Sequence, residues 1–351
     1  MPLSASLSYC TWCVRQLFKS DHSVSMGRYH INVYIMTFTF VVIVLLPTVH
    51  ASVIGNEWDY GGDIGPDHWH KSYPQCAGNR QSPVDIETKL VVYDENLKGM
   101  QLDGYNSVMA VNMSLTNNGH TVQVDLMGKS LTIQGGGLPG VYKAAQFHFH
   151  WGAVDKRGSE HYLDDNNFPM EMHIVHYHNQ YSDIKQAMDK SNGLAVLGFF
   201  FKVGLHNVHF DDILSHFSEI THKDDHVNIP TIPLRQLMAN NLDLYYRYEG
   251  SLTTPPCYET VIWTVFRTPI EVSEYQLEQF RNRVKKNYPN EPDLDLTDDF
   301  RPVQPLNHRI IYGSHLDTQL PYTAPQQENS AGQINIQFYS VIVFVCISWL
   351  L

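Results

Sequence analysis

The run Gln146-Phe147-His148-Phe149-His150-Trp151 sets two histidines one residue apart. Side chains alternate across a β-strand, so both imidazoles project from one face while Phe147 and Phe149 point the other way. Such a strand packs a core behind it and holds a cation in front. Taken alone, His-x-His is equally the mark of a half-buried or surface strand. A second alternating run, Glu171-Met172-His173-Ile174-Val175-His176-Tyr177, follows a loop rich in Asp, Asn and Gly and can lie antiparallel to the first. His173 falls in phase with Glu171 and Val175, so three imidazoles can converge from two strands. Zinc held by three histidines with the fourth position open is a catalytic arrangement, whereas structural zinc is usually closed by four ligands, mostly cysteine. No cysteine lies near either run.

Holding these residues together requires a sheet, and residues 52 to about 318 read mostly as β. Alternating runs at 107–115, 121–126, 129–133, 144–151, 171–177, 195–203, 242–249 and 259–267 are separated by Gly, Asn, Asp and Pro clusters. Helical spacing appears at 184–189, 211–219 and 273–284, the last with Ser273 as its cap. This predicts an α+β, β-dominated single domain around a large twisted, mostly antiparallel sheet with short peripheral helices.

Of the 351 residues, 43% are hydrophobic and only 17% charged, which supports a buried core and excludes extended disorder. A formal charge of -12 excludes the basic surface that a nucleic-acid partner selects. No internal repeat, P-loop or dinucleotide-binding glycine pattern is present.

Both ends read as processed. Residues 1–51 combine an N-terminal extension with a secretory signal: the apolar stretch 31–49 follows Arg28, small residues stand at the cleavage point near Ala51, and Met26 is the more usual start. A retained signal anchor is the competing reading. Residues 52–320 form the catalytic domain and 321–332 a linker containing the small residues Asn329 and Ser330, a candidate anchor site. Residues 333–351 are an apolar tail without a following Lys or Arg, which favours replacement by a glycolipid over a transmembrane helix. Of five cysteines, Cys76 and Cys257 remain after this processing, an even pair suited to an oxidising compartment. A bridge between them closes a loop of about 180 residues. Asn112-Met113-Ser114 supplies a glycosylation sequon in keeping with an extracellular location.

The motifs add up to a family. Gly65-Pro66-Asp67-His68-Trp69-His70, Arg80-Gln81-Ser82-Pro83-Val84-Asp85-Ile86, Asn117-Asn118-Gly119-His120, the Gln146–Trp151 block and Gly158-Ser159-Glu160-His161 closely resemble the α-class carbonic anhydrases. So do Glu171-Met172-His173, Gly193-Leu194-Ala195-Val196-Leu197-Gly198 and Gly250-Ser251-Leu252-Thr253-Thr254-Pro255-Pro256. The order is unbroken over about residues 57 to 314. The paired cysteines and tail are similar to the glycolipid-anchored, membrane-bound extracellular members, although a second disulfide near the N-terminus of some of them has no counterpart.

The resemblance implies a mostly antiparallel ten-stranded sheet and one Zn²⁺ on His148, His150 and His173. Gln146 and Glu171, each two residues before a ligand, are then acceptors that fix the tautomers of His148 and His173. Zinc lowers the pKa of water in the open position to about 7, the family's own figure. The reaction implied is reversible hydration of carbon dioxide to bicarbonate and a proton by zinc hydroxide, at the extracellular surface. Thr253 orients the hydroxide by accepting a hydrogen bond from it while donating its own to Glu160, and Thr254 helps hold bicarbonate. Val175, Val196, Leu252, Val261 and Trp263 form the apolar wall for carbon dioxide.

Proton release poses a separate problem. A group with pKa near 7 sheds protons to water at only about 10³ s⁻¹ if recombination runs at roughly 10¹⁰ M⁻¹s⁻¹, while the family's zinc enzyme reaches about 10⁶ s⁻¹. His120 occupies the shuttle position, and Tyr60, Asn118 and Gln123 order the intervening waters, Gln123 standing where Asn is commonest. Sulfonamides and small anions are the expected inhibitors, and a lipid anchor the link to the membrane. The alternative readings are a catalytically inactive cell-surface binding domain, which usually lacks a zinc histidine, and a zinc esterase acting as a side activity.

Overall fold

Alternating β-branched and aromatic residues draw most of the chain into strands. The computed structural model describes residues 57–109 and 111–315. Ten strands follow one hydrogen-bonded order: His226–Ile229, Val111–Asn117, Val122–Gly128, Tyr142–Trp151, Met170–His178, Leu194–Val203, Val261–Val272, Tyr245–Gly250, Tyr312–Gly313 and Val92–Tyr93. Two more, Met100–Asp103 and Thr132–Gly135, pair with each other beside Tyr142–Trp151 and bring the sheet to twelve. Asp85–Ile86 and Tyr162–Leu163 form a separate parallel pair. Along the ten-strand order only two neighbours are parallel, Leu194–Val203 with Val261–Val272 and Tyr312–Gly313 with Val92–Tyr93. The mixed, mostly antiparallel sheet with a few short helices is the architecture expected.

The differences lie at element ends, where side chains bond locally. The run expected at 107–115 yields Val111–Asn117, because the Ser107 hydroxyl accepts from Met109 N at 3.2 Å and makes a turn first. The run at 129–133 shifts to Thr132–Gly135, past a turn whose Gly128 has φ +94. The helix expected at 211–219 divides into an α-turn, Asp211–Leu214, and a 3₁₀ turn, Phe217–Glu219. The longest described helix, Glu274–Arg283, starts as expected: Ser273 accepts from Gln276 N and its own N–H is bound by the Gln276 side chain.

Period-two alternation gives the sheet two different faces. One carries Phe147, Phe149, Met172, Ile174, Leu197 and Phe199 in the main core. The other carries Val175, Val196, Val265, Trp263, Tyr246 and Tyr248 in a second cluster. Leu194–Val203 runs between them with its first eight residues buried, as a central strand must. Replacing Phe149 by Ala should cost about 3–5 kcal/mol, since its ring is fully buried. Cys76 and Cys257 are joined by a disulfide that packs with Trp69.

Among the described residues no helix is long and apolar enough to cross a membrane. The expected signal, the linker with Asn329 and Ser330, and the apolar tail lie outside the described residues.

Candidate metal centre

Strand register aligns the second face of the sheet into rungs. One rung reads Asp125, Gln146, Val175, Val196, Trp263 and Tyr248 across six strands. The next reads Gln123, His148, His173, Gly198, Val265 and Tyr246. A third brings His150 beside Glu171 and Phe200. Two imidazoles thus share a rung, and the third stands one rung along on the same face. Donor atoms of His148, His150 and His173 lie within 4.8 Å of one another.

Each imidazole is fixed from behind by one nitrogen. Gln146 Oε1 lies 2.9 Å from His148 Nδ1, the Asp299 carbonyl 2.7 Å from His150 Nδ1, and Glu171 Oε1 2.7 Å from His173 Nε2. These acceptors put the proton on the outer nitrogen and turn His148 Nε2, His150 Nε2 and His173 Nδ1 inward. His150 Nε2 is buried without a hydrogen-bond partner. A buried, unpartnered nitrogen is costly unless something electron-poor binds it. Burial pushes the pKa of both His148 and His150 down, with the neighbouring imidazoles adding to it at His148. Neutral rings with lone pairs directed at one point are what a divalent cation of zinc's type requires, so the donor set fits the metal.

A second nearby trio, His161, Glu171 and His173, also brings its donor atoms together. Its ring nitrogens are already engaged: His161 Nδ1 meets Glu171 Oε1 at 2.7 Å and its Nε2 meets Tyr248 Oη at 2.6 Å. Glu171 is the hub of this chain. Burial alone raises a carboxyl pKa, but His161 and His173 outweigh it and hold Glu171 well below the usual carboxylate range. Its second oxygen accepts from the Glu160 and His161 N–H groups at 2.9 and 2.8 Å. Gly198 leaves room for the carboxylate, since a Cβ there would stand 3.3 Å from Glu171 Oε1. The chain continues from Tyr248 Oη to Ser82 Oγ at 2.8 Å, which also accepts from Ser251 N at 3.0 Å. The Met170–His178 strand is thereby tied to the loop between Gly250 and Val261, which contains Thr253.

Glu160 is fully buried; its Oε1 accepts from the Arg301 N–H at 2.9 Å. The Arg301 guanidinium in turn holds Gln81, the Ser82 carbonyl and the Cys76 carbonyl. Glu160 Oε2 has no hydrogen-bond partner and lies 3.5 Å from His150 Nε2 and 3.9 Å from His173 Nδ1. The carboxylate therefore leans toward the imidazoles, without the hydrogen bond from Thr253 that the sequence leads one to expect. Thr253 itself is buried and Thr254 half-buried.

Val175, Val196 and Trp263 stand side by side on the first rung, and the Trp263 ring meets that of His173 at 4.8 Å between centroids. Val261 lies two residues before Trp263 on the same face and is buried; Leu252 is half-buried against this cluster. These apolar residues are thus contiguous with the face that carries the three imidazoles.

His120 sits at the end of a turn in which Asn118 Oδ1 accepts from the His120 and Thr121 N–H groups, both at 2.9 Å. Its ring stacks on Trp58 at 3.9 Å. Burial, and secondly Lys223, lower the His120 pKa from its ordinary value. Burial first, then Glu160, Asp299 and Asp59, hold the Tyr60 phenol far above its ordinary range. Gln123 shares the His148 rung, but its Nε2 donates to Asp125 Oδ1 at 2.8 Å. Asn112 is exposed on its strand.

Sequence reasoning missed several partners. Asp299 contributes a backbone carbonyl, which has no side-chain signature. Trp58 meets His120 only through the folded N-terminal segment. His161 was visible within Gly158–His161, and its position beside Glu160 was the one available signal.

The site can be compared with known proteins. A family model described as eukaryotic-type carbonic anhydrase matches residues 64–315. Human carbonic anhydrase 12 is 38% identical over 277 residues, 78% of this chain and 77% of its own. Mouse carbonic anhydrase 6 is 36% identical over 275 residues, 77% and 84%, and human carbonic anhydrase 3 is 35% identical over 266 residues, 74% and 99%. Because the matched region contains every rung of the metal face, the chain belongs to the eukaryotic-type carbonic anhydrases, a family of enzymes.

Proposed function

We propose that the protein catalyses the reversible hydration of carbon dioxide to bicarbonate and a proton at the extracellular face of the plasma membrane. The observation that carries this reading is the inward turn of His148 Nε2, His150 Nε2 and His173 Nδ1, each with its other nitrogen held by an acceptor. Zinc bound there supplies a Lewis acid that brings the acidity of water into the neutral range.

The chain's own residues do the rest. Glu160 and Thr253 orient the attacking oxygen, a matter of aligning a lone pair with the substrate carbon. Carbon dioxide has no net dipole, so Val175, Val196, Leu252, Val261 and Trp263 hold it by dispersion and by excluding water. Thr254 binds the bicarbonate product. His120 receives the proton through waters ordered by Tyr60, Asn118 and Gln123, then passes it to buffer. The extracellular reading is supported by the disulfide and the exposed sequon at Asn112, with attachment through a glycolipid near Asn329 or Ser330.

An inactive binding domain would lack a ligand histidine, and here the three converge. The test is zinc content together with carbon dioxide hydration by residues 52–320. Stoichiometric zinc with rapid hydration is expected; folded protein that binds no zinc and hydrates nothing overturns the reading.

A further inference from the structure

On the face of the sheet turned away from the metal, Arg247 lies at the wall of a cavity of about 610 Å³. In Tyr245–Gly250 the even-numbered Tyr246 and Tyr248 join the metal-side cluster, so Arg247 points to the opposite side. It is 7% exposed. Its Nε and Nη2 both donate to Thr264 Oγ1, at 3.2 and 2.9 Å, and Arg247 forms no ion pair among the described residues. Nη1 faces Gly137, where a Cβ would come within 3.3 Å of it.

The guanidinium also lies over the Tyr245 ring, 5.6 Å from its centroid, but a buried guanidinium with no carboxylate in ion-pair contact is unusual, because burying an unpaired charge costs several kcal/mol. The setting is more unusual in a chain of formal charge -12. Arg309, on the same cavity, donates only to the backbone carbonyls of Leu306, Glu249 and Pro305. Arg80 is paired with Glu249 at 3.1 Å and with Glu259, outside the lining, at 3.8 Å; His308 also lines the cavity, and Asp94 is the remaining lining acid. Among the lining residues three arginines therefore outnumber two acids. The rest of the lining mixes the apolar Leu97, Ile262 and Ile310 with the amides of Asn96 and Asn192.

We propose that this cavity is a binding site for a small organic carboxylate, its carboxylate on Arg247 Nη1 and its apolar body against Leu97, Ile262 and Ile310. The guanidinium suits a carboxylate because its N–H groups are planar and fixed. The cavity exceeds what an inorganic ion fills, which selects a ligand with a hydrocarbon part.

The experiment is calorimetric titration of benzoate into the zinc-loaded protein, with the metal face blocked by a saturating aromatic sulfonamide so that only a remote site responds. One saturable site is expected, with benzoate at least tenfold tighter than inorganic phosphate. Arg247→Lys should weaken benzoate at least tenfold, since it keeps the charge and loses the planar fork. Ile310 is exposed, so its variants do not threaten folding. Ile310→Glu should weaken benzoate at least tenfold and Ile310→Lys should not. No saturable binding in the blocked protein, equal affinity for phosphate, or indifference to the sign of charge at position 310 overturns the proposal.

Discussion

Glu171 and His173 stand two residues apart on one strand, and Glu171 Oε1 meets His173 Nε2 at 2.7 Å while also meeting His161 Nδ1 at 2.7 Å. One carboxylate oxygen thus orients a candidate ligand and a buried non-ligand together. Replacing Glu171 by Gln keeps the shape and removes the charge that makes His173 a strong donor. Zinc affinity should fall about 10- to 100-fold, measured by competition with a chromophoric chelator. Unchanged affinity would show that the hydrogen bond, and not the charge, is what His173 needs.

His120 is connected to the metal face through space and not through the sheet: it stacks on Trp58 and protrudes from a turn held by Asn118. If it carries protons to buffer, His120→Ala should lower turnover at least tenfold in weak buffer, because release to water is limited to about 10³ s⁻¹. Added imidazole should restore the rate. Stopped-flow hydration at several buffer concentrations makes the measurement, and a variant as fast as wild type removes His120 from the relay.

What could be read from the sequence follows from which contacts are periodic. The phase of His148, His150, His173, Gln146, Glu171 and Val175 is a property of strands, so their common face was visible before any fold was known. The alignment of Val196 and Trp263 with Val175 depends on register between strands distant in sequence, and only the resemblance supplied it. Asp299 was out of reach because a carbonyl carries no residue preference. Edges were least legible: Val92–Tyr93 and Tyr312–Gly313 are two-residue strands whose pairing is decided by the rest of the sheet.

The disulfide joins residues separated by 181 positions and lies near two parts of the site: Arg301 holds the Cys76 carbonyl, and Cys257 N donates to the Thr254 carbonyl at 2.9 Å. Changing both cysteines to Ser should lower stability by up to about 5 kcal/mol, the loop-closure figure for a bridge of this span. Urea unfolding of the zinc-loaded protein measures it. A loss below about 1 kcal/mol would mean that the unfolded chain is already restrained.

His176 gives the pH dependence a separable component. It is fully buried between the Tyr105 hydroxyl, at Nε2, and the Ala195 carbonyl, 3.2 Å from Nδ1. Burial pushes its pKa down to about 4, although the Ala195 carbonyl opposes this. The unfolded chain, with an ordinary histidine near 6.5, binds this proton first, so stability rises with pH through the interval between the two values. Its contribution is fully present above about 6.5 and is lost as pH falls toward 4, by about 3 kcal/mol in total. Gln at position 176 cannot titrate. The stability of wild type relative to His176→Gln should therefore fall by about 3 kcal/mol between pH 7.5 and 4. Acid release of zinc affects both proteins and cancels in the difference, so urea unfolding at matched pH isolates the histidine. Parallel pH profiles for the two proteins would mean that His176 takes up no proton on unfolding.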